Sequence, residues 1–301
     1  MAFPNTTTLV TFPSGTTEGS STIVAAVPLP GGVIGVVTDT TPFHPLDHSW
    51  PDQPGDTGTM EFVDSTDFGG GRCPIVDCVT GAVGPDGEFA LGEQIPVRRG
   101  DPQWTWLAVH LVEFGCAPAG PQALLGRAVV LRADPARRVA LSAAHTGCHL
   151  LALALNAALA DRWRKSARLD ALGSPDFDAL AMDGSRMDEH ASTDRYRIGK
   201  SLRRKGFDAE GLADSLGEIT ARVNARLAGW IAADAPVRVE APGPELTARR
   251  RWTCALPEGA ASIDCGGTHL ARLGELASLT TSLSLSADGT ELVAVTVPKR
   301  I

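Results

Sequence analysis

Cysteine is sparse in this chain. Six occur in 301 residues, at Cys73, Cys78, Cys116, Cys148, Cys254 and Cys265, and no two form a CxxC pair. That density excludes a small disulfide-built scaffold and reads as reduced thiols, with one or two available to a metal. Long apolar runs are missing too: the longest, LLALALNAALA at 150–160, is too short to cross a bilayer. The opening MAFPNTTTLVTF has neither a basic start nor a long apolar core, so no signal peptide is expected. A cytoplasmic protein with no membrane partner is the expectation. Basic charge is not in excess either, since the formal net charge is −8 at pH 7. Residues 1–140 hold 7 Lys+Arg against 15 Asp+Glu and residues 141–301 hold 20 of each, so the whole acid excess lies in the first half. This disfavours binding nucleic acid over the entire surface and leaves room for a local basic groove in the neutral half. Internal repeats and low-complexity tracts are absent.

What is present suits a soluble globular protein: 43% hydrophobic and 21% charged residues, enough for a sizeable core. The length suggests two domains or one large one. Residues 20–40 are β-branched and broken by PLPGG, which reads as two strands around a turn. VTGAVGPDGEFAL reads as a hairpin with PDG at its turn, and RAVVLRAD at 127–134 as a further strand. Residues 100–123 read as an insertion before that strand. The texture changes near residue 135. The run 139–165 is rich in Ala and Leu, with Gly147 its one break, and predicts a long helix. A second, amphipathic helix is predicted over 208–233, strands at PVRVEAP and from 281 onward, and a polar surface excursion over 160–195. The fold class expected is α+β: a small β-barrel-like domain at 1–138 and an α+β domain at 139–301.

Two short motifs carry chemistry. AAHTGCHLL places His145 and His149 four apart on a predicted helix, and DCGGTHL repeats that spacing with Cys265 and His269. Helical residues i and i+4 share a face, so both imidazoles can address one centre. Imidazole nitrogen and thiolate sulfur are the donors zinc takes in tetrahedral sites. A pair of hydrogen-bonded core histidines would produce the first motif equally well. Cys148, between the two histidines, is turned away from their face and reads as a core thiol.

HTGCHLL and CGGTHL resemble the HxxxH and CxxxH motifs of the alanyl-tRNA editing family. That family comprises the free-standing AlaX trans-editing proteins and the editing half of alanyl-tRNA synthetase. The resemblance extends through VVTDTTPFHP and QPGDTG, LRADPARR, ITARVNARLAGWIAADAPV and LGELASL, and so over most of the chain. It implies a zinc-binding editing domain, with Zn²⁺ held by His145, His149, Cys265 and His269. The implied activity is hydrolysis of the ester joining serine or glycine to alanine tRNA, in trans, on the aminoacylated acceptor end. It places Thr41 and Gln53 where the family has a threonine and a glutamine near the reacting ester, and Asn224 on a family helix. The chain departs from the family at His44, in place of a tyrosine, and at Pro51-Asp52, in place of a glycine pair before Gln53. These changes bear on the acceptor-end pocket and on amino-acid selectivity, and bring in His48 and Trp50 as candidates for substrate contact. Asp56 reads as a turn former rather than a base. Phosphate contacts are expected from RYRIGKSLRRKG at 195–206, chiefly Arg203, Arg204 and Lys205, and from Arg249, Arg250 and Arg251. Tyr196 is there to stack on a base or to fill the core. A zinc hydrolase of another small aminoacyl ester or amide, and a non-catalytic tRNA-binding module, are the competing readings.

Overall fold

The computed structural model describes residues 3–63, 72–113 and 120–301. The protein is mixed α and β, with sheets dominant. It divides into two compact units, Met1–Arg138 with Ala241–Arg250, and Val139–Glu240 with Arg251–Ile301.

The first unit contains β1 (Leu9–Val10), β2 (Glu18–Leu29), β3 (Val33–Thr38), β4 (Thr40–Thr41), β5 (Gly58–Phe62), β6 (Arg72–Val83), β7 (Phe89–Leu91), β8 (Thr105–Glu113) and β9 (Ala128–Ala133). Seven of these form an antiparallel sheet in the order β5-β9-β2-β3-β8-β6-β7, and β5 also pairs with the start of β6, Met60 opposite Cys73. The central strands read as near-continuous apolar runs because both of their faces are covered. Ile34 and Val36 pack into one cluster, while Val37 joins Leu107 and Val109 in another on the opposite face. The segment 100–123 is therefore no insertion in its middle: β8 lies between β3 and β6, with His110 opposite both Val36 and Cys78. Its residues 114–119, with Cys116, lie outside the described residues. The stretch 241–250, expected with the second domain, joins this unit instead. The Val10 N–H donates to the Pro244 carbonyl at 2.7 Å, the Leu246 N–H donates to the Thr8 carbonyl at 2.9 Å, and Leu246 is buried.

Helix α1 (Pro135–Ala158) opens at a proline, and the Asp134 carboxylate accepts from the Ala136 and Arg137 amides. Proline at the first helical position and an acidic cap are an ordinary helix start. From Val139 on it belongs to the second unit. That unit continues with α2 (Phe177–Ala181), β10 (Met182–Met187), β11 (Ser192–Arg197), α3 (Lys200–Arg204), α4 (Leu212–Ala233), β12 (Val237–Glu240), β13 (Arg251–Leu256), β14 (Gly259–Asp264), β15 (Leu276–Leu285) and β16 (Glu291–Arg300). Two antiparallel sheets result, β10-β11-β16-β15 and β12-β13-β14. α1 is long and apolar enough to cross a membrane, yet 83% of its most apolar stretch is buried inside the protein, as in a core helix. Gly147 is what brings it close to the sheet: a Cβ there would lie 2.9 Å from Leu279 Cδ1 and 3.6 Å from Thr296 Cγ2. α4 buries Ile219, Val223, Leu227 and Trp230, a stripe at helical spacing.

The polar excursion expected over 160–195 fits 163–175, which is mostly irregular and exposed or half-buried, whereas 177–195 is chiefly helix and sheet. β11 pairs with β16 and buries Ser192, Asp194 and Tyr196 on its inner face. These polar side chains are satisfied there. The Tyr196 hydroxyl donates to Asp178 Oδ1 at 3.0 Å, and the Ser192 hydroxyl to Asp194 Oδ2 at 3.3 Å. Tyr196 is thus a core residue.

Candidate metal centre

α1 carries His145 and His149 one turn apart, and the loop after β14 carries Cys265 and His269. The ligating atoms of all four residues lie within 4.8 Å of one another. Cys265 Sγ is 3.3 Å from His145 Nε2 and 3.3 Å from His269 Nε2. The three imidazoles form a tight triangle, with ring centroids 4.4 Å (145 to 269), 5.0 Å (145 to 149) and 4.8 Å (149 to 269) apart. A tetrahedral zinc site with its usual bond lengths has donor–donor edges of about 3.3–3.8 Å. The two edges at Cys265 match that figure, and the widest spacing is longer by about an ångström.

The surroundings fit a cation. His145 is 2% and His149 7% exposed, and His149 Nδ1 is buried with no hydrogen-bond partner. A buried imidazole nitrogen left in that state is costly unless something else satisfies it. Burial pushes the His149 pKa well below its usual value, and the neighbouring His145 lowers it further. Its neutral form, the one that ligates, therefore persists at neutral pH. The Gly267 amide donates to Cys265 Sγ at 3.4 Å. Cys148 is outside the set: its thiol faces Asp194 Oδ1 at 3.4 Å and Ser185 Oγ at 3.8 Å.

Sequence patterns gave no sign of two further residues. Trp252 on β13 is fully buried, its ring 5.0 Å from that of His149, and its indole N–H has no acceptor. Thr146 is fully buried, with Oγ1 3.3 Å from His269 Nδ1. Neither residue type is a metal ligand, so no spacing rule points to them.

The other expected residues fall in both units. Thr41 is buried in the first unit, its Oγ1 2.8 Å from His110 Nε2. Gln53 is 1% exposed in the same unit. His48 is not offered to solvent: its ring stacks on Trp106 at 5.3 Å, and Nε2 lies 3.1 Å from the Val97 carbonyl oxygen. Trp50 is exposed. Asp56 is a buried ion-pair partner rather than a simple turn former, bound to the Arg138 guanidinium through both oxygens and accepting from the His44 amide. Gly55 beside it admits no side chain, because a Cβ would lie 2.0 Å from the Cys78 carbonyl oxygen. In the second unit Asn224 holds α4 to β15 through both ends of its amide, donating to the Thr281 carbonyl at 2.8 Å and accepting from the Thr281 N–H at 2.7 Å.

Arg203, Arg204 and Lys205 are exposed at the end of α3, and Lys165 joins them, its Nζ donating to the Arg204 carbonyl at 3.2 Å. The RRR run divides three ways. Arg249 is exposed, and Arg251 pairs with Asp264 at 3.2 Å. Arg250 is 3% exposed, donates to the Glu245 and Leu246 carbonyls and lies over the Phe12 ring, so it does not face a phosphate.

No family model and no curated protein matches this chain. Among solved structures, a bifunctional dehydratase-cyclase domain in ambruticin biosynthesis aligns over 96% of this chain and 76% of its own, at 12% identity and a TM-score of 0.13. A likeness that slight says nothing about fold or chemistry. The class that the structure supports by itself is a protein with a partly buried His₃Cys cluster able to hold a metal ion.

Proposed function

We propose that this chain is a zinc-dependent aminoacyl-tRNA hydrolase that removes serine or glycine from mischarged alanine tRNA in trans. The observation that carries the reading is the convergence of His145, His149, Cys265 and His269, from two motifs 120 residues apart, on one point. The likeness of those motifs to the alanyl-tRNA editing family adds the substrate class. When bound, zinc supplies Lewis acidity and lowers the pKa of water toward about 7. Four ligating donors would fill a tetrahedral shell and make the ion an anchor for the loop; three would leave one position open to substrate or water.

The remaining work falls to the chain's own groups. The exposed Arg203, Arg204, Lys205 and Lys165 provide positive charge for backbone phosphates, which fix position without reading sequence. The Trp252 ring lies against that of His149, and its buried indole N–H is a donor without an acceptor. Thr41 and Gln53, both buried in the first unit, stand in this reading where the family has the threonine and the glutamine that would hydrogen-bond the amino acid or the terminal ribose. The test is deacylation of Ser-, Gly- and Ala-charged alanine tRNA alongside a panel of simple aminoacyl esters. Preference for Ser- or Gly-tRNA supports the reading. Turnover of simple esters alone points to another small-ester hydrolase on the same scaffold, and tRNA binding without turnover to a non-catalytic module.

A further inference from the structure

We infer that Thr146 is a positioning residue that fixes the tautomer and aim of His269, so that Nε2 of that ring faces the metal position. The inference rests on reading the His₃Cys cluster as a metal centre. Ser142 and Thr146 are one turn apart on α1, on a face beside that of the two histidines. The Ser142 hydroxyl donates to Thr268 Oγ1 at 2.8 Å, and both residues are 4% exposed. Thr146 Oγ1 accepts from the Leu270 N–H at 3.1 Å and lies 3.3 Å from His269 Nδ1. Two hydroxyls of one helix thus bind the residues on either side of His269, and one of them touches the ring itself.

A hydroxyl oxygen has two acceptor positions, and Leu270 takes one at Thr146. If Thr146 donated its proton to Nδ1, His269 would carry its own proton on Nε2 and could not ligate through it. If Nδ1–H donates to the second acceptor position, the Nε2 lone pair is free on the side where Cys265 Sγ stands 3.3 Å away. Only the second arrangement is compatible with ligation through Nε2. Groups that hold the far nitrogen of a ligating histidine typically contribute about 10–100-fold in metal affinity. Thr146 is such a group at His269 Nδ1.

The test compares Thr146→Val, which keeps the shape and removes the acceptor, with Thr146→Ser, which keeps the acceptor. Zinc affinity is measured by competition with a chromogenic chelator. The imidazole ¹⁵N shifts of His269 are read in the metal-free protein, where the tautomer is reported whether or not zinc binds. Thr146→Val is expected to weaken zinc about 10–100-fold and to remove the preference for the Nδ1–H tautomer, with Thr146→Ser restoring both. Valine binding zinc as the wild type does, serine failing to restore affinity, or an Nε2–H tautomer in the wild type would each overturn the inference. Loss of deacylation plays no part in this readout, so a failure here is distinct from a failure of the proposed function.

Discussion

Replacing Asp56 by alanine tests whether the GDTG stretch serves the fold or the chemistry. Asp56 is 1% and Arg138 4% exposed. The guanidinium reaches Asp56 Oδ1 at 3.0 Å through Nε, and its other nitrogens donate to the Pro42 and Thr16 carbonyls at 2.6 and 3.3 Å. Removing the carboxylate leaves a buried cation held only by neutral carbonyls. Breaking a buried pair in this way costs about 3–5 kcal/mol. The His44 N–H, bonded to Asp56 Oδ2 at 2.5 Å, loses its acceptor as well, which adds about 1–2 kcal/mol. The expected total, about 4–7 kcal/mol, is a large part of a typical domain's stability. Asp56→Asn keeps an acceptor for both partners and should cost clearly less. Equilibrium urea unfolding followed by circular dichroism measures both. An Asp56→Ala protein within about 1 kcal/mol of wild type but without deacylation activity would refute the structural role and make Asp56 a reacting group.

Three further outcomes are expected. His145→Ala should lose bound zinc. Cys148→Ala should keep zinc and lose about 1–3 kcal/mol, because buried Asp194 gives up a partner; elemental analysis and thermal melts separate the two, and zinc lost from the Cys148 variant would place the wrong face of α1 at the centre. Charge reversal at Arg203, Arg204 and Lys205 should weaken tRNA binding and flatten its log–log salt dependence by about 0.7–0.9 per lost phosphate contact; an unchanged slope would mark the cluster as ordinary solvated surface. Burial pushes His110 down to about 4, so folding keeps it neutral while the unfolded chain takes up a proton near the usual 6.5. Its contribution is complete above about 6.5 and is lost as pH falls toward about 4, at up to about 1.4 kcal/mol per pH unit. His110→Gln should reduce that slope in melts between pH 7 and 5, and an unchanged slope would show that His110 is not the group responsible.

The metal cluster was legible because its signal is local. Two residues four apart on a helix must share a face, and Ala- and Leu-rich sequence around His145 and His149 leaves no doubt about the helix. Its bounds were less legible: the helix begins at Pro135 rather than 139 and ends at Ala158 rather than running to 165. The β10–β11 hairpin was hidden because its inner face is made of Ser185, Ser192, Asp194 and Tyr196, which sequence patterns assign to solvent. Their burial depends on hydrogen bonds among residues distant in the chain, Asp178 with Tyr196 and Cys148 with Asp194. β8 was read past for the opposite reason. TWLAVHLVE is a plain strand sequence, but it sits inside 100–123, which was read as an insertion. Arg250 shows the limit of reading charge alone, since three consecutive arginines meet three different surroundings once 241–250 packs against β1.

The most direct test of the central claim is deacylation of Ser- and Gly-charged alanine tRNA by protein purified without added metal, with its zinc content measured on the same sample. About one zinc per chain, hydrolysis of the mischarged tRNA in preference to Ala-tRNA, and loss of both on His145→Ala are expected. Zinc below about 0.2 equivalents, with hydrolysis undiminished by chelators, would contradict the claim.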